Sequence, residues 1–342
     1  MYRIFVLILF FMFVSVPIGL SKKTSDDVLY HSSLHYYARG MAYWYSSKTG
    51  GLEKYLKIPY DKLGCNHCHA KTCDTCHKTV VNGEPTYSVK AAKQMKNCLR
   101  CHKRELAMLK IMKKFKAMDV HFAKGMTCID CHSSKEIHGD GKYYISMREP
   151  GAMNTKCENC HKKIPQTLAH TIHKGKLGCT ACHVRFVFTC YNCHVNTMVT
   201  KKKKVFIPMA GWTFLINYNG KVVAANMQSF VLKGRKTFML FAPCFSHNVM
   251  KKGRSCNECH GTKVVQELKN GKVVLTWLKN GKLQHIKGVI PVVEGVNYKV
   301  VFFDYKNGKW IPFKASSPTD VQFAGFGKPL TPEQLKKLEI KK

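Results

Sequence analysis

Two cysteines separated by two residues and followed at once by a histidine offer a chemistry that neither residue type has alone. The stretch CNHCHAKTCDTCH holds two such C-x-x-C-H units with three residues between them. The chain has eight units in all: Cys65, Cys68 and His69; Cys73, Cys76 and His77; Cys98, Cys101 and His102; Cys128, Cys131 and His132; Cys157, Cys160 and His161; Cys179, Cys182 and His183; Cys190, Cys193 and His194; and Cys256, Cys259 and His260. They use every cysteine except Cys244. A zinc ribbon needs paired C-x-x-C but has no use for a histidine beside each second cysteine. A thioredoxin-type dithiol comes singly, next to a strand–helix unit. Disulfides would leave eight histidines without a role. Covalent attachment of haem uses all three residues: the thiols bond the two vinyl groups and the adjacent imidazole becomes the proximal iron ligand. The expected cofactor is haem c, eight per chain.

At this point the sequence resembles the multihaem c-type cytochromes, broadly the octahaem and tetrathionate reductase-like group. The resemblance rests on the eight motifs and covers roughly residues 31 to 261. It is carried also by HFAKGMTCIDCHSSKEIHGDG and by the closely spaced pair GCTACHVRFVFTCYNCH. That group includes both conduits and reductases, so the resemblance implies cofactors more firmly than activity.

Eight proximal histidines leave nine: His31, His35, His67, His121, His138, His170, His173, His247 and His285. Eight haems with two imidazoles each need eight of them as distal ligands. His285 stands outside the motif-rich region in a strand-like stretch and is the expected spare. His31 and His35 are four apart and would share one face of a helix. Arg104 to Lys124 has Met108, Ile111, Met112, Phe115, Met118 and Phe122 at helical spacing, which predicts an amphipathic helix with His121 in its last turn and Gly125 stopping it. His170 and His173 follow Pro165 on a short helical stretch, and His138 lies in a glycine-rich loop. His67 sits inside the first motif and could reach only a neighbouring iron. The methionines, spaced mostly as core residues, are the weaker axial candidates.

The elements that must position these ligands divide at VTKKKKV, Val199 to Val205. The expected domains are a signal peptide over 1–21, a seven-haem cytochrome domain over 22–200 and a β-rich domain over 201–342 carrying the eighth haem. The expected fold class is α+β: a haem-packed, mostly helix-and-loop domain followed by a small antiparallel β domain. Asn219-Gly220, Asn270-Gly271, Asn280-Gly281 and Asn307-Gly308 are hairpin signals. TPEQLKKLEI reads as a capped helix, with Thr331 as N-cap, Pro332 at N1 and Gln334 closing a capping box. Cys244 reads as a small packed residue.

MYRIFVLILFFMFVSVPIGLS has a basic residue, an apolar run and small residues before a lysine pair, the layout of a secretory leader; an uncleaved membrane anchor is the competing reading. Export, to the periplasm or cell surface, makes nucleic acid an improbable partner for a chain with 56 Lys and Arg against 20 Asp and Glu, net +36. Haem propionates would add back about sixteen negative charges. The remaining field suits acidic or membrane-linked redox partners, or a mineral or cell-surface acceptor. The function expected is electron transfer along a chain of bis-histidine haems. Two alternatives stand beside it: a reductase of small nitrogen or sulfur compounds with one open haem, and a subunit of a self-assembling extracellular cytochrome filament. No residues form a nucleophile–base pair, so no catalytic residue is assigned.

Overall fold

In the computed structural model, residues 29–63 and 69–340 are described. The leader and Cys65, His67 and Cys68 lie outside the described residues.

The architecture is organised by a seven-stranded sheet. Its strands are β1 (Val187–Tyr191), β2 (Cys193–His194), β3 (Ile207–Tyr218), β4 (Lys221–Val231), β5 (Thr237–Pro243), β6 (Gly288–Pro291) and β7 (Asp320–Phe323). The spatial order is β6-β3-β4-β5-β7, with β1 paired to β3 and β2 paired to β4. The β3–β4 and β4–β5 pairs are antiparallel, whereas β6–β3, β7–β5 and β2–β4 are parallel.

Both faces of β3 are covered, and its sequence shows why. Trp212, Phe214 and Ile216 point into the main core with Met227, Phe241, Leu275 and Ile290. The intervening Leu215 packs on the opposite face with Ala181, Val222 and Val289. A strand buried on both sides is apolar at consecutive positions rather than at alternate ones. Trp212 is fully buried and donates its Nε1–H to Thr189 Oγ1 at 2.9 Å, so its polar atom is satisfied inside the core.

This sheet corrects the expected fold class. Helix accounts for 32% of the structure and strand for 27%, around one mixed sheet. The expected picture of a mostly helix-and-loop, haem-packed domain followed by a small antiparallel one does not hold. The reason is local. Val187 to His194, which carries the seventh motif, is rich in β-branched and aromatic residues and pairs in register with β3 and β4 beyond the lysine run. Once that segment is a strand, the motif region and the C-terminal strands share a sheet.

The remaining elements before β1 are short. Their longest helix, Lys103–Lys114, buries Met108 and Met112 against Phe188 of β1. It stops earlier than the apolar spacing suggested. The C-cap is Phe115, and Lys116 takes a left-handed φ of 50°. Buried Asp119 then accepts from the backbone N–H groups of His121 and Val249, tying the chain to the loop after β5 instead of to another helical turn. His121 precedes a separate 3-10 turn, Phe122–Lys124, which Gly125 does terminate.

Three of the four Asn-Gly signals form tight hairpin turns, at 219–220, 280–281 and 307–308, each with both residues at positive φ. Asn270-Gly271 instead ends the helix Lys263–Lys269. Asn82-Gly83 makes a further hairpin, Lys78–Val81 with Glu84–Tyr87, inside the motif region. The closing helix Pro332–Glu339 has its capping box between Thr331 and Gln334. No helix among the described residues is long and apolar enough to cross a membrane.

Candidate functional site

Six of the motifs are wound the same way. In the motifs starting at Cys73, Cys98, Cys128, Cys157 and Cys256, the histidine N–H donates to the carbonyl of the first cysteine at 2.8–2.9 Å, closing one helical turn. The motif starting at Cys179 is the helix Cys179–His183 itself. One turn puts both thiols and the imidazole on the same side of a short rigid segment. Most of these thiols are at least partly exposed.

Each of these six imidazoles faces one of the histidines left over by the motifs. His77 faces His138 with ring centroids 6.1 Å apart, His102 faces His35 at 6.2 Å, and His132 faces His247 at 6.1 Å. His161 faces His121 at 6.0 Å, His183 faces His170 at 6.2 Å, and His260 faces His173 at 6.2 Å. These spacings discriminate between kinds of metal. With a metal–nitrogen bond of about 2 Å, and the nitrogen about 1.1 Å from its ring centre, two imidazoles on opposite sides of one ion have centroids about 6 Å apart, against about 5 Å around a tetrahedral ion. All six pairs have the opposed, trans spacing. A tetrahedral zinc site built from two thiols and two imidazoles does not fit them; a metal taken by both imidazoles from opposite sides would.

Second contacts orient the rings. His35 Nδ1–H donates to the Ile137 carbonyl at 3.3 Å, His170 to that of Pro165 at 2.8 Å, and His173 to that of Ala169 at 2.9 Å. His183 donates to the Met250 carbonyl at 3.0 Å and His260 to that of Lys337 at 2.9 Å. Committing Nδ1–H to an acceptor leaves Nε2 as the nitrogen a metal would take, the pattern of ligating histidines in general. Three rings have carboxylates instead: His121 donates to Asp119 at 3.1 Å, His132 to Glu136 at 2.8 Å and His247 to Glu105 at 2.7 Å. The pair His132/His247 is therefore held by a carboxylate on both sides. Burial alone would push the His247 imidazole down, but the Glu105 hydrogen bond and charge outweigh it and hold it above its ordinary value. Burial pushes His35 and His102 down, with their mutual proximity adding to the shift at His35.

The surroundings fit a large apolar ligand. Leu168 is 76% exposed, Ile164 48% and Ile172 46%, all beside the histidines of the helix Leu168–His173. Val80, Tyr87 and Val89 stand equally open after the second motif. Aliphatic side chains crowded at ligand positions and left bare are what a flat apolar group would cover.

The thiols also show which motifs are neighbours. Cys76 is within electrostatic range of Cys98 and Cys101. Cys98 and Cys128 share a hydrogen bond, which lowers the first to about 6 and raises the second. Cys131 lies near Cys160. Cys157 and Cys179 also share a hydrogen bond, and their sulfurs and a Glu158 oxygen lie within 4.8 Å of one another. That trio has the spacing of a small-metal site, yet each of its thiols belongs to a different motif. Cys259 and Cys182 close the series. The spatial order is thus second, third, fourth, fifth, sixth and eighth motif.

The first and seventh motifs stand apart. Burial pushes the His69 imidazole down; the ring donates to the Leu34 backbone carbonyl and lies near His35. Its cysteines, and His67, are outside the described residues. His31 precedes the helix Leu34–Tyr37 rather than sharing its face with His35, and its ring packs edge-on to Tyr36 at 4.3 Å. His138 is the last residue of the helix Ser134–His138, capped by Gly139, and so is better positioned than a loop would make it. His285 packs on Trp212 at 5.3 Å. His194 faces Trp310 at 5.8 Å, and its Nε2 lies 2.9 Å from the Phe303 carbonyl. The three anchoring carboxylates were missed by sequence reasoning. Glu136 alone had a signal, four residues after a motif histidine and so on the same helical face.

Comparisons with known proteins return no matching family model, no matching curated protein and no matching solved structure.

Proposed function

We propose that this chain is an exported multihaem c-type cytochrome that conducts electrons between redox partners. The observation that carries the proposal is the set of six motif histidines, each opposed by a second histidine at 6.0–6.2 Å. Haem bound covalently at each wound motif would supply a one-electron iron couple there. The chain's own residues do the rest. The C-x-x-C turns would present the thiols to that group, and the motif histidine and the histidine facing it would hold its iron. Ile137, Pro165, Ala169, Met250 and Lys337 hold ring orientation through their carbonyls. An iron held by two imidazoles would leave no place for water or a small substrate, which favours electron passage over conversion of a substrate. Hydrogen-bonded thiols join the third motif to the fourth and the fifth to the sixth, which puts those sites at close quarters, as a conduit requires.

The positive surface, with Lys201 to Lys204 exposed after the helix Val195–Lys201, favours an acidic redox protein as partner. The test is expression with export and a c-type maturation apparatus. Reduced protein should give the sharp α-band of low-spin haem c, retained after acid–acetone extraction because the group is covalent. A colourless chain that binds zinc instead would overturn the proposal.

A further inference from the structure

We infer that the seventh C-x-x-C-H, Cys190 to His194, is a haem motif in sequence only: its residues build the sheet, and Cys190 and Cys193 remain a pair of thiols. This rests on the proposed haem reading of the other motifs and sets one apart from them.

The backbone is the first ground. Where the six wound motifs close a turn from histidine N–H to first-cysteine carbonyl, His194 N–H donates to the Val205 carbonyl at 3.0 Å. Cys190 and Tyr191 pair with Pro208 and Ile207 in β3, and Cys193 and His194 pair with Phe230 and Val231 in β4. Asn192, between the strands, takes a left-handed φ of 55°. The extended form points alternate side chains to opposite faces, so it does not gather two thiols and an imidazole on one side.

The intervening residues have structural employment. Tyr191 and Asn192 are fully buried. Asn192 donates to the Phe303 carbonyl at 2.8 Å and accepts from the Phe303 N–H at 2.9 Å, and its own N–H reaches Ser229 Oγ at 2.8 Å. His194 spends Nε2, the nitrogen that its counterparts keep for metal, on the same Phe303 carbonyl. Together these contacts fasten the hairpin Phe302–Lys306/Lys309–Phe313 to the sheet.

The ligand environment is the third ground. Among the described residues, the ring that His194 meets is Trp310, not an imidazole. His194 does border a hollow of about 490 Å³ with Lys233, Arg235 and Phe313, but neither Cys190 nor Cys193 lines it. Cys190 packs instead against the helix Lys103–Lys114 cluster. The thiol-to-thiol series of the other motifs passes from sixth to eighth without it.

The test is peptide mapping of the denatured holoprotein after alkylation. The tryptic peptide 186–201 should carry two alkyl groups and no haem, while peptides of the wound motifs carry haem. A haem on peptide 186–201 would overturn the inference. The double variant C190S/C193S supplies a second reading: the haem-to-protein ratio and the low-spin spectrum should stay as in the parent, and loss of one haem per chain would overturn it. A chain with no haem on any motif would sink the proposed function, and this contrast with it; that result is distinct from haem at the seventh motif.

Discussion

Glu136 shows how far one side chain can fix an imidazole proposed to hold iron. It is buried, accepts His132 Nδ1–H at 2.8 Å, and is fixed in turn by the Thr155 hydroxyl at 2.9 Å and the backbone N–H groups of Asn154 and Thr155. Opposite it, Glu105 holds His247. A carboxylate behind an imidazole makes the ligand more basic and favours the oxidised metal. The fourth site, with carboxylates on both sides, should therefore have the lowest potential of the six pairs. Glu136→Gln should raise that one potential by on the order of 60 mV, a tenfold change for a one-electron couple, leaving the others in place. Spectroelectrochemical titration of parent and variant reads this directly. The twist between ring planes is a second residue-scale variable. It is 19–33° in the pairs His170/His183, His173/His260 and His77/His138, and 59–71° in His132/His247, His121/His161 and His35/His102. Nearly parallel planes split the iron d orbitals into a rhombic pattern; nearly perpendicular planes leave it close to axial.

Between elements, a small polar contact docks the N-terminal segment on the sheet edge. Lys54 and Tyr55, from the helix Glu53–Leu56, both donate to Asp320 in β7, and these two hydrogen bonds hold its carboxyl below the ordinary range. A depressed folded value stabilises the structure above the unfolded carboxylate's value, about 3.9, and that stabilisation is lost as pH falls through the depressed one. Asp320→Asn should thus cost from a few tenths to about 1 kcal/mol at neutral pH, since the pair is half exposed, and progressively less as pH falls below the ordinary carboxylate range. Denaturant melts of both proteins across that range check the sign. Element-scale features were unevenly legible in the sequence. Turns were read well where both residues needed positive φ, as at Asn219-Gly220. Helical periodicity overran at Phe115, because apolar spacing continues through residues that Asp119 ties elsewhere. The strand form of the seventh motif was the least legible: C-x-x-C-H spells the same letters in a turn and in a strand, and pairing with β3 and β4 separates them. The motif-to-distal partnerships, spanning from 13 to 115 residues in sequence as His170/His183 and His132/His247 do, had no local signal.

Across the whole molecule, stability is divided unequally. The main core, from Tyr191 to Phe303, is built wholly of protein side chains. The region holding the second to fifth motifs has small clusters and bare aliphatics, and under the proposed function haem would supply its interior. Protein produced without haem should consequently lose protection first between residues 69 and 176, while β3 to β5 resist limited proteolysis; uniform cleavage through the sheet would contradict this. The six opposed pairs remain the centre of the account, and the EPR spectrum of the oxidised holoprotein at low temperature tests them most directly. Low-spin ferric signals are expected from the six, shared equally between a rhombic class and a strongly anisotropic, nearly axial class. High-spin iron as the main species would mean that the facing imidazoles do not ligate, and would contradict the account.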